Sequence, residues 1–313
     1  MKRFSSDWYW YYVINYTLVI IIVFPIYWTF ISSVKTPAEL ITSEPTYFPQ
    51  TWTWKYYYQI WNYDLSATWQ FNEADYFEKK SRTLKETLLN FFNPDETKSI
   101  GRAFWNSCFV SFGTILLTTI VCTLAGYALA VLRGPFKNII FLLIITPILF
   151  PGVSLLIPLY KILKDIGLLN NLYGLIFLHS TFMLPLGVFM MRNAFISIPS
   201  SLREVAILEG TSELQIILRV LLPLCIPGLL TVMVFAMYVS WNDYIFAYVF
   251  VTTGEREVLN VALAKIALGG NEFDMKWGSI TAGSVISFIP IIIFYTFLQQ
   301  YFVRGVTGSA VKE

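Results

Sequence analysis

Residues 200–223 read SSLREVAILEGTSELQIILRVLLP and form a charged stretch between two long apolar segments. The pattern predicts two short helices in close succession. Ser201 followed by Glu204 has the spacing of a capping box, the side-chain arrangement that begins a helix. Ser212 followed by Gln215 has the same spacing, so a second helix is expected to begin there.

Gly210 lies between these two predicted helices. Glycine readily adopts the left-handed backbone conformation that ends a helix, so we expect the chain to turn sharply at this position. Residues 200–223, which we call the elbow, are therefore predicted to be a bent helical segment exposed beside a membrane.

Composition places the rest of the chain in a lipid bilayer. Of its 313 residues, 56% are hydrophobic and only 13% are charged, whereas soluble domains carry about 25% charged residues. The formal net charge is +2, and no basic run indicates a nucleic-acid surface. A single histidine and no paired cysteines argue against an ordinary zinc site, and no serine, histidine and acid constellation indicates an enzyme. We expect an integral membrane protein that is not an enzyme and holds no metal.

Six segments are apolar enough to cross the bilayer, which takes about 20 helical residues each. They are residues 12–34, 104–131, 138–160, 172–191, 224–249 and 278–302. The predicted fold class is thus all-α integral membrane, with six transmembrane helices. An even number of spans places residues 1–11 and 303–313 on one side, and the arginines near the span ends indicate that this side is the cytoplasm. The loop 192–223 lies on the same side.

Residues 35–103 are the predicted extracellular loop between the first two spans. Within it, residues 64–100 change to a mixed-charge composition and include a helical piece near 76–92. This insertion is expected to form a small cap, which is either an ordered spacer or a docking surface for an external partner. The other five spans occupy residues 104–302.

Few polar side chains lie at membrane depth. His179 is in the fourth predicted span, and Asp243 is in the outer half of the fifth. A carboxylate is costly in a bilayer, so Asp243 is a candidate functional residue; the alternative is an interfacial carboxylate that caps a turn. His179 is either a substrate contact or the partner in an interhelical hydrogen bond.

Placed on the cytoplasmic side, the elbow resembles the EAA loop of binding-protein-dependent ABC importer permeases. The resemblance rests on Glu204-Val205-Ala206, Glu209-Gly210 and Pro223. Val205 and Thr211 stand where the family usually has alanine, and Glu209 stands where it usually has aspartate. These departures keep the glutamate, glycine and proline spacing that identifies the loop.

Other stretches are similar to the carbohydrate branch of this family, which is related to the smaller permease subunit of maltose transporters. They are Trp105-Asn106-Ser107, Gly126-Tyr127-Ala128-Leu129-Ala130, Ile157-Pro158-Leu159-Tyr160, Gly167-Leu168-Leu169-Asn170, Trp241-Asn242-Asp243 and the tail from Tyr301 to Gly308. The resemblance covers nearly the whole chain except about 64–100.

The resemblance implies a type I ABC importer permease in the inner (plasma) membrane of a prokaryote. Its partners would be a homologous second permease subunit, two cytoplasmic ATP-binding subunits and an extracellular substrate-binding protein that delivers a carbohydrate. This chain contains no Gly-x-x-x-x-Gly-Lys-Ser/Thr loop. ATP and its Mg²⁺ are therefore assigned to the partner subunit, and no cofactor is expected on this chain.

The elbow is the implied site of coupling to the ATPase. Its coupling residues are Glu204, Ala206, Glu209, Gly210, Leu214 and Pro223. An apolar face for a helix-in-groove contact is expected from Ala206, Leu208, Leu214, Ile217 and Leu218. The alternative is an amphipathic helix that lies on the membrane surface.

Two further sets of residues follow from the resemblance and from side-chain chemistry. Candidates for the translocation pathway combine polar groups with aromatic faces for sugar rings: Tyr127, His179, Trp241, Asn242, Asp243 and Tyr244. The last external loop, about 250–276, is expected to reach into the binding protein, or else to be a solvated connector. Its predicted tip is Thr252, Thr253, Gly254 and Glu255.

Two other functions remain open at this point. An ion-coupled secondary transporter would carry charged residues within its spans and often an inverted repeat, whereas this chain offers only Asp243 and no repeat. An importer of the same architecture for a non-sugar solute, such as a glycerophosphate, would share every feature above.

Overall fold

The computed structural model describes residues 6–62, 99–132, 134–268 and 273–310. These residues form helices joined by turns, and no strand occurs among them. The α-helices in chain order are α1 (Ser6–Ser33), α2 (Pro37–Ile41), α3 (Lys55–Asn62), α4 (Ile100–Val131), α5 (Lys137–Ile145), α6 (Leu156–Asp165), α7 (Leu172–Ile196), α8 (Ser200–Leu208), α9 (Glu213–Gln215), α10 (Leu222–Leu224), α11 (Ile226–Trp241), α12 (Ile245–Phe250), α13 (Leu259–Leu268) and α14 (Phe273–Ala310). The insertion expected at 64–100, with its helical piece, lies outside the described residues apart from its last two positions.

Four of the described helices are long and apolar enough to cross a membrane individually. The spanning portions are Tyr9–Ser33, Ile100–Val131, Leu172–Ile196 and Trp277–Gln300. They coincide with the predicted spans at 12–34, 104–131, 172–191 and 278–302, which are confirmed as helices.

The other two predicted spans are bent rather than straight. Lys137–Leu149 and Gly152–Asp165 meet at 98°, and Pro151 lies in the break between them. Proline has no backbone N–H, which favours a break in the helix here, so the span predicted at 138–160 is a bent pair of helices. The described residues thus hold four spans, or up to six if each bent pair crosses the membrane once.

The second bent pair leads out of the elbow. Glu213–Leu224 meets Ile226–Trp241 at 87°, and Pro223 and Pro227 lie on either side of the bend. The span expected at 224–249 therefore begins after this bend, and it is interrupted again between α11 and α12.

The chain divides into two compact units. The first contains Met1–Arg102 and Ala262–Pro290. In this unit α3 lies directly on α14, because a Cβ atom added at Gly278 would come within 2.1 Å of the Tyr56 ring. Tyr56 itself is 1% exposed, so this contact is part of the core of the unit.

Glu39 organises the segment between α2 and α3 in the same unit. Its carboxylate accepts hydrogen bonds from the backbone N–H groups of Gln50 at 3.0 Å and Thr51 at 3.2 Å. The hydroxyls of Thr36 and Thr51 also donate to it, each at 3.2 Å. Burial acts to raise the pKa of Glu39, but these hydrogen bonds outweigh it and hold the pKa below its ordinary value.

The second unit contains Ala103–Val261 and Ile291–Glu313, and it includes the elbow. Its helices α4 and α7 are in backbone contact, because a Cβ atom at Gly126 would lie 2.6 Å from the Cβ atom of Met191. Small residues permit such close approach of membrane helices. Met191 is fully buried, and the hydrophobic cluster around it includes Ile216 of the elbow. A separate cluster surrounds Phe250.

Candidate functional site

The first half of the elbow is the helix α8. Its N-cap residue is Pro199, and no side chain caps it; the N–H of Leu202 bonds instead to the Pro199 carbonyl at 3.3 Å. The predicted capping box of Ser201 and Glu204 is therefore wrong. Pro199 has an extended ψ of 132° and is the N-cap residue, so the helix begins at Ser200, and Ser201 is already its second residue.

The turn at Gly210 is confirmed. Gly210 has a φ of +76°, in the left-handed region. Its N–H bonds to the carbonyl of Ile207 at 2.9 Å, and the N–H of Thr211 bonds to the carbonyl of Ala206 at 3.1 Å. These two bonds form a Schellman motif, which satisfies carbonyl groups left over at the end of α8.

The second half of the elbow restarts as expected. Gln215 Oε1 accepts hydrogen bonds from the Ser212 backbone N–H at 3.3 Å and from the Ser212 hydroxyl at 3.0 Å. This predicted capping box is confirmed. After α9 the chain continues as a π-helical turn, Ile216–Leu221, in which Ile216 and Ile217 are buried.

The elbow exposes a group of large apolar side chains. Leu208 is 86% exposed, and Leu214 and Leu218 are more than half exposed. Ala206 and Ile217, expected on the same face, are instead 5% and 6% exposed and pack into the core of the chain. The helical period turns them inward because α8 and the π-helical turn each rest one side on that core.

The remaining exposed apolar residues of α8 are Leu202, Val205 and Ile207. Together with Leu208, Leu214 and Leu218 they form what we call the docking face. Glu204 and Glu209 are also exposed beside it, whereas Pro223 lies in α10, where the chain turns toward α11. An exposed apolar surface with a charged rim is typical of an interaction site.

Three side chains join the elbow to α4, and we call them the clasp. The Tyr127 hydroxyl donates a hydrogen bond to the Glu213 carboxylate and accepts one from Arg203 Nε at 3.1 Å. The Arg203 guanidinium also pairs with the Glu213 carboxylate. The structure thus places Tyr127 with the elbow, and not with the other pathway candidates.

Four of the other pathway candidates are consecutive and lie at the break between α11 and α12: Trp241, Asn242, Asp243 and Tyr244. The remaining candidate, His179, contacts Asp243. His179 Nε2 lies 3.0 Å from Asp243 Oδ2, and the two side chains are 2% and 8% exposed. Asp243 Oδ1 accepts the N–H of Phe246 at 3.1 Å, and Oδ2 accepts that of Ala247 at 2.9 Å. Asp243 therefore caps α12 while it binds α7 through His179.

Hydrogen bonds to the backbone also hold the residues around Asp243. The Asn260 amide donates to the carbonyls of Trp241 at 2.8 Å and Asp243 at 3.3 Å. Trp241 is 4% exposed, whereas Asn242 and Tyr244 are exposed and Tyr244 stacks on Tyr248. Of the pathway candidates, these two present their side chains to the surroundings; a pathway role for all six remains a prediction.

The predicted tip of the last external loop is tied to the turn before α7. Asn170 has a φ of 56°, and its Oδ1 accepts hydrogen bonds from the N–H groups of Thr252 and Thr253, both at 3.1 Å. The Thr253 hydroxyl donates to the same oxygen at 3.0 Å. Arg256 donates to the Asn170 carbonyl.

The other side of this loop is held by α4. The Asn106 amide donates to the carbonyls of Glu255 at 3.0 Å and Glu257 at 2.8 Å. Thr252, Thr253 and Glu255 nevertheless remain exposed. The loop is thus a shaped, anchored projection.

Sequence reasoning did not identify the contacts made by Asn170, Arg203 and Glu213. The signal for Asn170 was its residue type, since asparagine is among the few residues that tolerate a left-handed conformation. No local pattern pairs Glu213 with Tyr127, which is 86 positions away. In the described part of the chain, no three histidine, cysteine, aspartate or glutamate side chains lie close enough to hold a metal ion.

Comparison with known proteins agrees with this geometry. The family described as "Binding-protein-dependent transport system inner membrane component" matches residues 97–308. The inner membrane ABC transporter permease protein YcjP of Escherichia coli is 30% identical over 294 residues, which cover 94% of this chain and 92% of that protein. The trehalose transport system permease protein SugB of Mycobacterium tuberculosis is 34% identical over 216 residues, covering 68% of this chain and 78% of SugB.

A solved structure shows the same fold. It is the crystal structure of a bacterial ABC transporter involved in the import of the acidic polysaccharide alginate, and one of its chains matches with a TM-score of 0.74 at 23% identity. The match covers 96% of this chain and 100% of that chain. The architecture is therefore that of a type I ABC importer permease, as the sequence predicted. The family match spans the elbow, the clasp, Asn106 and Asn170, and this chain belongs to the inner membrane components of binding-protein-dependent transport systems.

Proposed function

We propose that this chain is one of two permease subunits of an ATP-driven importer for a sugar or oligosaccharide, and that it couples to an ATPase through the elbow. The observation that carries the proposal is the docking face. Leu208 is 86% exposed on a short helix whose two ends are both fixed by hydrogen bonds. Such a rigid apolar projection suits insertion into a groove on another protein.

In this proposal, other subunits bind and hydrolyse the ATP that powers transport. ATP and its Mg²⁺ would be bound by two cytoplasmic ATP-binding subunits, since this chain has no phosphate-binding glycine loop. Both termini would lie in the cytoplasm with the elbow. Closure of the ATP-binding subunits would displace the docking face, and the two permeases would rock so that a cavity between them opens to alternate sides.

Sugar is the substrate class that the relatives favour. SugB, which is 34% identical, is named as a trehalose transport permease. An external binding protein would deliver the sugar to the projection formed by residues 252–255. Membership of a binding-protein-dependent family favours this proposal over an ion-coupled secondary transporter.

The test of coupling is assembly and ATP hydrolysis. The chain should copurify with its ATP-binding subunits, and Leu208→Glu should abolish this association because it places a charge within the docking face. Ile41→Glu supplies a control, since Ile41 is 48% exposed but lies outside both the elbow and the predicted spans. Copurification that survives Leu208→Glu would contradict the assignment of this face.

The test of substrate class is the ligand that the cognate binding protein retains. A panel of trehalose, maltose, maltotriose, glycerol 3-phosphate and glycerophosphodiesters should raise its melting temperature only with the sugars. Stabilisation by a glycerophosphate alone would replace the sugar proposal while leaving the coupling proposal intact.

A further inference from the structure

We infer that Tyr127 is a positioning residue for coupling: its hydroxyl fastens the elbow to α4, so that the two move as one body. This inference rests on the proposed coupling function. It gives Tyr127 a task different from the pathway role that the sequence suggested.

The clasp holds both arms of the elbow at once. Arg203 belongs to α8, before Gly210, and Glu213 begins α9, after it. Both arms bond to the one hydroxyl of Tyr127. A displacement of either arm relative to α4 therefore breaks a hydrogen bond, and the turn at Gly210 cannot open without breaking the clasp.

Tyr127 is itself held firmly. It is 3% exposed, and its ring packs edge to face on Phe195 with centroids 5.6 Å apart. The preceding residue, Gly126, is in backbone contact with α7 at Met191. The hydroxyl is thus a fixed point on the α4 and α7 pair.

The other contacts that hold the elbow fix its orientation less than the Tyr127 hydroxyl does. Ala206, Ile216 and Ile217 bury apolar surface against the same core, and apolar contact does not specify direction. The side chains of Arg203 and Glu213 are 24% and 48% exposed, so their ion pair alone would add little in water. The buried hydroxyl supplies the directional contact, because hydrogen bonds to charged groups are stronger and depend on angle.

A distance measurement on the assembled transporter tests the inference. Spin labels are placed at Ser201→Cys on α8 and Leu132→Cys after α4, both exposed positions, in a chain with Cys108→Ala, Cys122→Ala and Cys225→Ala. Distances are recorded by pulsed electron spin resonance without nucleotide and after trapping with ATP and vanadate. We expect one unchanged distance in both states when Tyr127 is present.

Tyr127→Phe keeps the ring and removes the hydroxyl. We expect a second distance to appear in the trapped state, with its population raised by about tenfold or more over the reference, because the hydroxyl loses its hydrogen bonds to both Glu213 and Arg203. Glu213→Gln, at a half-exposed position, should act in the same direction. Tyr160→Phe is the matched control, because Tyr160 lies outside the elbow, is 38% exposed and packs its ring on Phe250.

The possible results distinguish a failure of this inference from a failure of the proposed function. If the ATP-binding subunits associate with the reference chain but Tyr127→Phe leaves the distance single and unchanged, the inference is overturned and the proposed function stands. If the reference chain does not associate with ATP-binding subunits, both are overturned. A new distance in Tyr127→Phe and Glu213→Gln, absent in Tyr160→Phe, supports the inference.

Discussion

His179 and Asp243 form a buried pair, with Nε2 and Oδ2 3.0 Å apart and side chains 2% and 8% exposed. The pair joins the middle of α7 to the break between α11 and α12. Asp243 also accepts two backbone N–H groups at the start of α12. Each residue was a separate candidate in the sequence, whereas in the structure they form one unit in which protein groups satisfy the Asp243 carboxylate.

Removing the charge of Asp243 should destabilise the protein. Asp243→Asn replaces one carboxylate oxygen by an amide nitrogen that cannot accept, so in either orientation one α12 backbone N–H, that of Phe246 or of Ala247, loses its acceptor. We expect a loss of about 1–3 kcal/mol, measured as a lower melting temperature in detergent. Asp165→Asn, at an exposed helix end, should leave it unchanged. Equal melting temperatures for Asp243→Asn and the reference would contradict the structural role.

The left-handed turn at Gly210 should not tolerate a side chain. A Cβ atom there meets no neighbour within 4 Å, so the cost of Gly210→Ala is backbone strain alone, about 1–2 kcal/mol. We expect weaker binding of the ATP-binding subunits, measured by titration, with normal insertion of the chain. Gly134→Ala is the control, because its added Cβ atom also meets nothing and its φ is not positive. An equal effect of both substitutions would rule out strain as the cause.

We expect Asn170 to order the loop at residues 252–256 through both its backbone and its side chain. Asn170→Gly keeps the left-handed conformation but removes the oxygen that accepts from Thr252 and Thr253. Asn170→Ala removes the oxygen and also adds strain. Trypsin cleavage after the exposed Arg256 reports loop opening, and we expect it to accelerate in both variants, by roughly tenfold or more in Asn170→Ala. Unchanged cleavage in both would show that the loop does not depend on Asn170.

The carboxylate of Glu39 should give the protein an acid-sensitive contribution to stability. Its pKa is lower in the folded chain, so the stabilisation is complete above its unfolded pKa of about 4.3 and is lost as pH falls through the lower folded value. Glu39→Gln should cost about 1 kcal/mol at neutral pH, seen in the melting temperature, and nothing below both values. Glu44→Gln, whose side chain is exposed, is the control and should leave the melting temperature at neutral pH unchanged. A difference that persists at the lowest pH would contradict this assignment.

The sequence by itself determined the class of the protein and the position of its elbow. Long apolar segments mark the spans because insertion into a bilayer depends on the composition of each segment alone. The turn at Gly210 and the capping box of Ser212 and Gln215 could also be predicted from the sequence, since turns and caps depend on residues within a few positions of each other. The same local reasoning failed at Ser201, because Pro199 is the N-cap residue and the helix has already begun at Ser200.

Only the tertiary structure decided which residues act together. Tyr127 meets Glu213 across 86 positions and His179 meets Asp243 across 64. Composition and periodicity show that a side chain is polar or buried, but the identity of a distant partner depends on how the helices pack. For the same reason the sequence placed Ala206 on the docking face, whereas packing against the core of the chain turns it inward and leaves Leu208 exposed.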